Sequence, residues 1–348
     1  GGTDVTTANG DNAFAASGGV ATGTNTFAAS GGVASQSNAI AIGSDSKGAG
    51  ESALALGKST QAKSSKSIAV GEGATADGTA TIAIGAGNTA TGWGSSAIGK
   101  NVQVTKERST ALGWDLTVDQ AAATLVGYNS QVHANQGTGL GSTINIESAA
   151  QYGTGIGYQV DVTGKNAVAI GSSGDLGTHT AARATDAVAV GTATVASGEA
   201  ATAIGKKAAA SNDNSIALGT NATASDSAAI AIGYDSKAGN TGTVAIGYGA
   251  NVTGYTSVAI GNSATATGGT SVVIGDGASS TVGLGTALGR GAKANHEGSV
   301  ALGAQSETGA ANSTSTMTVA GKSYTLGPII HNPQVVGRLE SKGVKPID

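Results

Sequence analysis

The side chains best suited to chemistry in this chain are four histidines, His133, His179, His296 and His331, together with 22 carboxylates and 18 lysines and arginines. The histidines lie far apart, and none has partners at the spacing a zinc site needs. There is no cysteine, which excludes disulfides and thiolate metal sites and suits an exported chain. Glycine-rich strings abound, but no helix-forming pattern follows them, so they are neither dinucleotide nor P-loop fingerprints. A calcium-binding β-roll needs a nine-residue repeat with an aspartate in each turn, and no such column exists. Hexapeptide acyltransferases and polysaccharide-lyase helices are excluded in the same way, by a missing six-residue period and a missing acid/base cluster. The chain therefore reads as a non-enzyme with no cofactor and no metal.

What the residues can do is bind. Trp114 and Tyr128 lie fourteen apart, as do Tyr234 and Tyr248, and Lys100 stands fourteen before Trp114. Tyr158 falls in the same repeat position. Exposed aromatic side chains beside a cation are common anchors of interfaces, so Lys100, Trp114, Tyr128, Tyr158, Tyr234 and Tyr248 are candidate ligand-binding residues. A net charge of -4 without a run of lysine or arginine marks no nucleic-acid surface.

The element that must position these residues is a repeat. The pentapeptide Ser257-Val258-Ala259-Ile260-Gly261 is rewritten along the chain, and its glycine recurs nineteen times from Gly43 to Gly303. Sixteen of the eighteen spacings are 14 residues; the others are 16 (Gly141 to Gly157) and 20 (Gly171 to Gly191). A fixed short period of this kind is the signature of a solenoid. Composition agrees: 58 of 348 residues are glycine, more than twice the roughly 7% of an average protein.

Each turn reads as a heavy strand, a glycine corner, a light strand and a second corner. Branched residues flank a central alanine in the heavy strand, so they share one face and the alanine takes the other. The bulk of the branched pair predicts that it fills the coil. The alanine column, for example Ala217, Ala231, Ala245 and Ala259, is then predicted to form a flat face for neighbouring chains. Ordering fourteen residues costs more than two buried branched side chains return, so assembly of several chains is expected.

Residues 1–37 are expected to be imperfect turns or a cap, because the Phe14–Ala21 sequence returns as Phe27–Ala34 after thirteen residues. Residues 38–310 hold the regular array, and 311–348 are expected to be a hairpin and a proline-containing transition segment. The 20-residue turn, around Asp175 and His179, is an insertion of the kind that maps to one face of a solenoid, often the binding face. Asp175 and His179 therefore join the candidate ligand-binding residues. No apolar run is long enough to span a membrane as a helix, so any export signal or anchor is expected to lie outside this sequence.

The repeat, as in Asn38-Ala39-Ile40-Ala41-Ile42-Gly43, Asn214-Ser215-Ile216-Ala217-Leu218-Gly219 and Ser299-Val300-Ala301-Leu302-Gly303, resembles the heads of trimeric autotransporter adhesins of the Yersinia adhesin A type. The resemblance covers about residues 38–303. It implies an all-β fold, a left-handed parallel β-roll of 14-residue turns with two short strands each, assembled as a homotrimer. It also implies a head displayed at the Gram-negative cell surface, held in the outer membrane by a C-terminal region not present here. The partners implied are host extracellular-matrix proteins of the collagen, fibronectin or laminin class, host cell receptors, and other copies in autoaggregation. The neck signature usual after such heads does not follow Gly303. The alternative is an ice-binding or other non-enzymatic β-solenoid. One outward column runs Lys47, Gln61, Thr75, Thr89, Gln103, Thr117 and Gln131, too irregular for matching an ice lattice.

Overall fold

The structure is a computed structural model that describes residues 5–173 and 178–309 and the backbone of 316–319 and 322–325. The described residues form strands and turns only, without a helix. The chain divides into two units, Gly1–Ala193 and Thr194–Asp348, and each is built of stacked parallel coils.

A representative coil of the second unit shows how the repeat folds. Val258–Ile260 pairs in parallel with Val244–Ile246 of the preceding coil and Val272–Ile274 of the next. Thr265–Ala266 does the same with Asn251–Val252 and Ser279–Ser280. Between them Gly261 adopts φ 141°, and a β-carbon there would collide with the carbonyl of Gly275 in the next coil. Glycine is thus required for both the backbone angle and the close approach. The two corners also place Ser263 (φ 53°) and Thr270 (φ 58°) in the left-handed region. In the same unit Thr316–Val319 and Lys322–Thr325 pair antiparallel.

The first unit opens with coils of 13 residues. Phe14–Ala16 pairs with Phe27–Ala29, which pairs with Ile40–Ile42, so phenylalanine occupies the slot later held by isoleucine. The Phe14 and Phe27 rings stack on the outside, with centroids 5.0 Å apart. Farther on, the heavy and light strands merge through the glycine corner into nine-residue strands: Ser96–Val104, Thr110–Val118, Thr124–Val132, Thr138–Ile146 and Thr154–Val162. Thr154 pairs with Thr138, so the two extra residues of the 16-residue coil are confined to the corner after Ile146. Thr180 pairs with Val160 while Val188 pairs with Val168, which places the six extra residues of the 20-residue coil between Ser172 and Thr180.

The strand alternation is as expected, but its two faces are inverted. Ala217, Ala231, Ala245 and Ala259 are completely buried within the single chain, at 0% exposure, and so cannot form a face for a neighbour. They close on the light strand, opposite residues such as Ala222, Ala224, Ala264 and Ala266. The branched residues point outward instead: Ile216 remains 38% and Leu218 42% exposed. The cause is width. Two strands that face each other inside most 14-residue coils enclose methyl groups and hydroxyls. Where branched pairs such as Val102 and Val104 or Leu116 and Val118 lie inside, they come from the light strand, and the heavy strand still turns an alanine inward. A shift of one residue in facing turns every side chain of a strand to the other surface, so the inversion exchanges the two roles entirely. The outward columns, including Ile40, Leu56, Ile84, Ile204 and Ile274, form an exposed apolar stripe on the coils of each unit.

Buried hydroxyls complete the thin coils. Ser67 donates to the Ser64 carbonyl (2.6 Å), Thr81 to Gly78 (2.7 Å) and Thr243 to Asn240 (2.6 Å), each tying the heavy strand to the corner before it. These bonds satisfy corner carbonyls that no strand partner reaches.

Candidate binding surface

Continuation of the ladder through the corner makes the position after the repeat glycine part of a strand in the first unit. Lys100 pairs with Trp114, Trp114 with Tyr128, Tyr128 with Ser142, and Ser142 with Tyr158. Their side chains therefore stand in one column at about 4.8 Å intervals. The Lys100 ammonium lies 4.9 Å from the Trp114 ring centroid, within cation–π range. Trp114 and Tyr128 meet edge to face, with centroids 5.7 Å apart and planes at 75°. Each of Trp114, Tyr128 and Tyr158 keeps half its surface exposed. Tyr158 stands apart from the other two, because Ser142 separates them.

In the second unit Tyr234 and Tyr248 occupy the corresponding edge and stack face to face, with centroids 5.2 Å apart and planes at 9°. Among the described residues, five exposed aromatic residues fall outside the sequence-based set: Phe14 and Phe27 in the opening coils, and Trp93, Tyr152 and Tyr255. The last three lie at the second corner of their coils, and nothing in the repeat distinguished that corner as a site. Asp175 lies outside the described residues.

His179 is placed where the inserted segment rejoins the sheet, one residue before Thr180. Its Nδ1 is 2.6 Å from Asp161 Oδ2. A second pair, His133 and Asp119, is 2.7 Å apart, and His133 Nε2 is 2.9 Å from Gln131 Oε1. His179 also borders a groove of about 310 Å³ that the sequence did not disclose. Asn129, Gln131, Thr143, Asn145 and Asp161 line it as well. Thr117, Gln131, Asn145 and Asp161 are register partners on successive strands. This is the column tested above for ice matching, and its irregularity is what gives the groove its variety of polar groups. Among the described residues no three histidine or carboxylate side chains are placed to hold a metal.

Stacked parallel coils with exposed aromatic edges make a repetitive scaffold of structural rather than enzymatic type. A model of the YadA head domain repeat, in two copies, matches residues 49–74, 62–88, 76–101, 90–115, 182–208, 210–236, 227–250, 253–278 and 284–306, together more than half of the chain. The chain belongs to this family of adhesin heads. The matches leave residues 116–181 uncovered, and those residues hold most of the long strands and most of the groove. Two curated proteins share a short stretch with the chain, both 4-hydroxy-3-methylbut-2-enyl diphosphate reductases. The one from Citrifermentans bemidjiense is 63% identical over 30 residues, 9% of this chain and 11% of that protein. The one from Geotalea uraniireducens is 70% identical over 27 residues, 8% and 10% of the respective chains. The chain thus spans about a tenth of the length of these relatives, and the fragment transfers neither their fold nor their activity.

Proposed function

We propose that this chain is the head of a trimeric bacterial surface adhesin that attaches to host extracellular-matrix proteins or cell-surface receptors and that contributes to autoaggregation. The observation that carries the reading is the YadA head repeat over more than half of the chain, folded so that an aromatic edge stays exposed. Lys100, Trp114, Tyr128 and Tyr158, with Tyr234 and Tyr248 on the other unit, are the residues assigned to partner contact. The division into a cap (1–37), a head (38–310) and a transition segment (311–348) belongs to the same reading. So does display at the bacterial outer membrane.

The outward apolar stripe supports association with further copies. Single exposed apolar residues are ordinary, but a continuous column of them marks an interaction surface. Membership of the YadA head family supports a three-chain arrangement. Light scattering on the purified chain should give the mass of three copies. Ile216→Ser combined with Leu218→Ser should shift it towards smaller species, because these side chains, not the buried alanines, face the neighbour. A monomer for the unsubstituted chain would contradict the assembly. Binding is tested on immobilised collagens, fibronectin, laminin and vitronectin and on host cells. Trp114→Ser with Tyr128→Ser should weaken attachment and leave thermal unfolding unchanged, and undiminished binding would remove the aromatic edge from the function.

A further inference from the structure

We infer that the groove beside the aromatic edge of the first unit is a glycan-binding site, for a hydroxyl-rich saccharide chain that runs across successive strands. The inference deepens the adhesin reading by naming the chemistry of a ligand and the place where it sits.

The lining decides the class of ligand. A cavity of about 310 Å³ is at the small end of the range of about 300–1,000 Å³ common for small-molecule sites, but those sites are mostly apolar. Here amides, hydroxyls and carboxylates line the walls, so the occupant must bring many hydrogen-bonding groups of its own. Amide side chains both donate and accept, which is what neighbouring sugar hydroxyls, each a donor and an acceptor, require. Gln131, Asn145 and Asp161 offer planar groups on consecutive strands, spaced at about 4.8 Å, an interval similar to the rise of a β-linked pyranose chain.

The groove is held in place before any ligand arrives. Ser130, buried beneath it, donates to the Tyr128 carbonyl at 2.8 Å and accepts from the Ile144 amide at 2.9 Å. Gln131 is fixed by His133, and His133 by Asp119. Asn145 donates through Nδ2 to Glu147 at 2.7 Å, which leaves its Oδ1 buried without a hydrogen-bond partner. A buried acceptor in that state is costly.

Charge argues against an anionic ligand, because Asp115 and Asp161 both line the groove, the first bonded by the Asn101 amide and the second by His179. Trp114 and Tyr128, each half exposed, directly precede Asp115 and Asn129 of the groove lining in sequence. The groove column lies on the light strand, on the other side of the coil from the apolar stripe. It therefore stays open when chains associate through that stripe. The residues most concerned fall in 116–181, outside the family matches.

The full chain should be titrated with chitohexaose and cellohexaose by calorimetry and applied to an array of mammalian glycans. Saturable binding of at least one oligosaccharide is expected, and Asn145→Ala and Gln131→Ala should each weaken it about tenfold or more. Gln131 is exposed and Asn145 half-buried, so thermal unfolding of both variants should be recorded to show that the coils are retained. Lys237→Ala, on the second unit, should bind as the unsubstituted chain does. No saturable binding anywhere on the array would overturn the proposal, as would binding that survives both groove substitutions. Displacement of the glycan by the groove-independent cation poly-lysine, with direct saturable binding of poly-lysine lost in Asn145→Ala, would assign the groove to a basic peptide instead. Beads coated with the chain separate this inference from the adhesin reading. If they adhere equally to intact and deglycosylated cells, the glycan site falls and the adhesin stands. If glycans bind but the beads adhere to no cell or matrix protein, the adhesin reading falls and the site stands.

Discussion

From Ser96 to Val162 the inside of four of the five coils is lined by Val102 and Val104, Leu116 and Val118, Ile144 and Ile146, or Val160 and Val162, all fully buried, and the fifth holds Ser130 and Val132 beneath Leu125. From Thr202 to Leu302 the same positions hold mostly alanine and serine, such as Ala222 and Ala224 or Ser236 and Ala238. Apart from Val252 and Val273, every one of the largest fully buried side chains belongs to the first stretch. The wide coils gain stability from apolar burial, at about 1.5–3 kcal/mol for each such side chain. The thin coils rely on ladder hydrogen bonds and on hydroxyls that bond to their own corners. The difference reaches the surface: in the wide coils the strand continues through the glycine corner, so the aromatic column and the groove are mounted on strand rather than on turn. The two regions show that one repeat can serve as plain spacer or as a platform for a site, depending on what fills it.

The fit of the wide coils is compensated from one coil to the next. Leu125 stands where other coils have alanine, and its register partner in the next coil is Gly139. A β-carbon on Gly139 would lie 2.7 Å from Leu125 Cδ1 and 3.3 Å from Ile144 Cγ2. The missing methyl at 139 is therefore the space that Leu125 occupies. Leu125→Ala should give the largest loss, on the order of 2–5 kcal/mol, read as faster amide exchange across the Thr110–Ile146 strands. Gly139→Ala should also destabilise the unsubstituted chain, yet become neutral or favourable in the Leu125→Ala background. Additive effects of the two substitutions would disprove the compensation.

The same relation can be transplanted. Ala231 and Ala245 are register partners in thin coils, in the position of Leu125 and Gly139. Ala231→Leu should overpack the coil by roughly 1–3 kcal/mol. Adding Ala245→Gly should recover part of that loss, less completely than in the wide coils because Ser236 and Ala238 opposite are already small and the corners already tied. If Ala231→Leu left the coil's exchange rates untouched and altered only the mass of the assembly, the alanine would face a neighbour after all, and the inward assignment would fail.

The period, the glycine corner, the strand alternation and the aromatic column were legible in the sequence because each recurs once per coil and each coil repeats its neighbour. Which face of the heavy strand turns inward was not legible from alternation, which defines two faces and leaves their roles open. A signal did exist. The middle column shrinks to Gly139 and Gly155 where the light strand carries Ile144 and Ile146 or Val160 and Val162, and it grows to Leu125 and Val273 where the light strand carries a serine, Ser130 or Ser280. A column that adjusts to the bulk of the light strand must be packed against it. The groove had no such signature. It depends on an insertion that returns His179 beside Asp161, which occurs once in the chain. The positive φ of Asp115 and Asn129, by contrast, recurs at the same position of other coils, as at Asp45, Asn221 and Ser263, and so marks no site.

The smallest effect should come from the polar fastening of the thin coils. Ser257 Oγ donates to the Gly268 carbonyl at 2.9 Å and accepts from the Ser271 amide at 3.0 Å, so one hydroxyl joins two coils. It is completely buried, and Ser257→Ala would remove both bonds without creating a large void. The loss should be about 1 kcal/mol, near the net worth of ordinary hydrogen bonds with some cost for groups left unpaired. Exchange should quicken at Ser271 and in the corner around Gly268, and nowhere in the first unit. In the wide coils the corresponding substitution, Ser109→Ala, removes a bond to the Gln120 carbonyl at 2.7 Å and one from the Ala123 amide at 3.2 Å. There Leu116, Val118 and Leu125 hold the coil from within, so the change in exchange should be smaller than at Ser257. Equal losses at the two serines would mean that apolar filling does not replace the polar fastening but only adds to it.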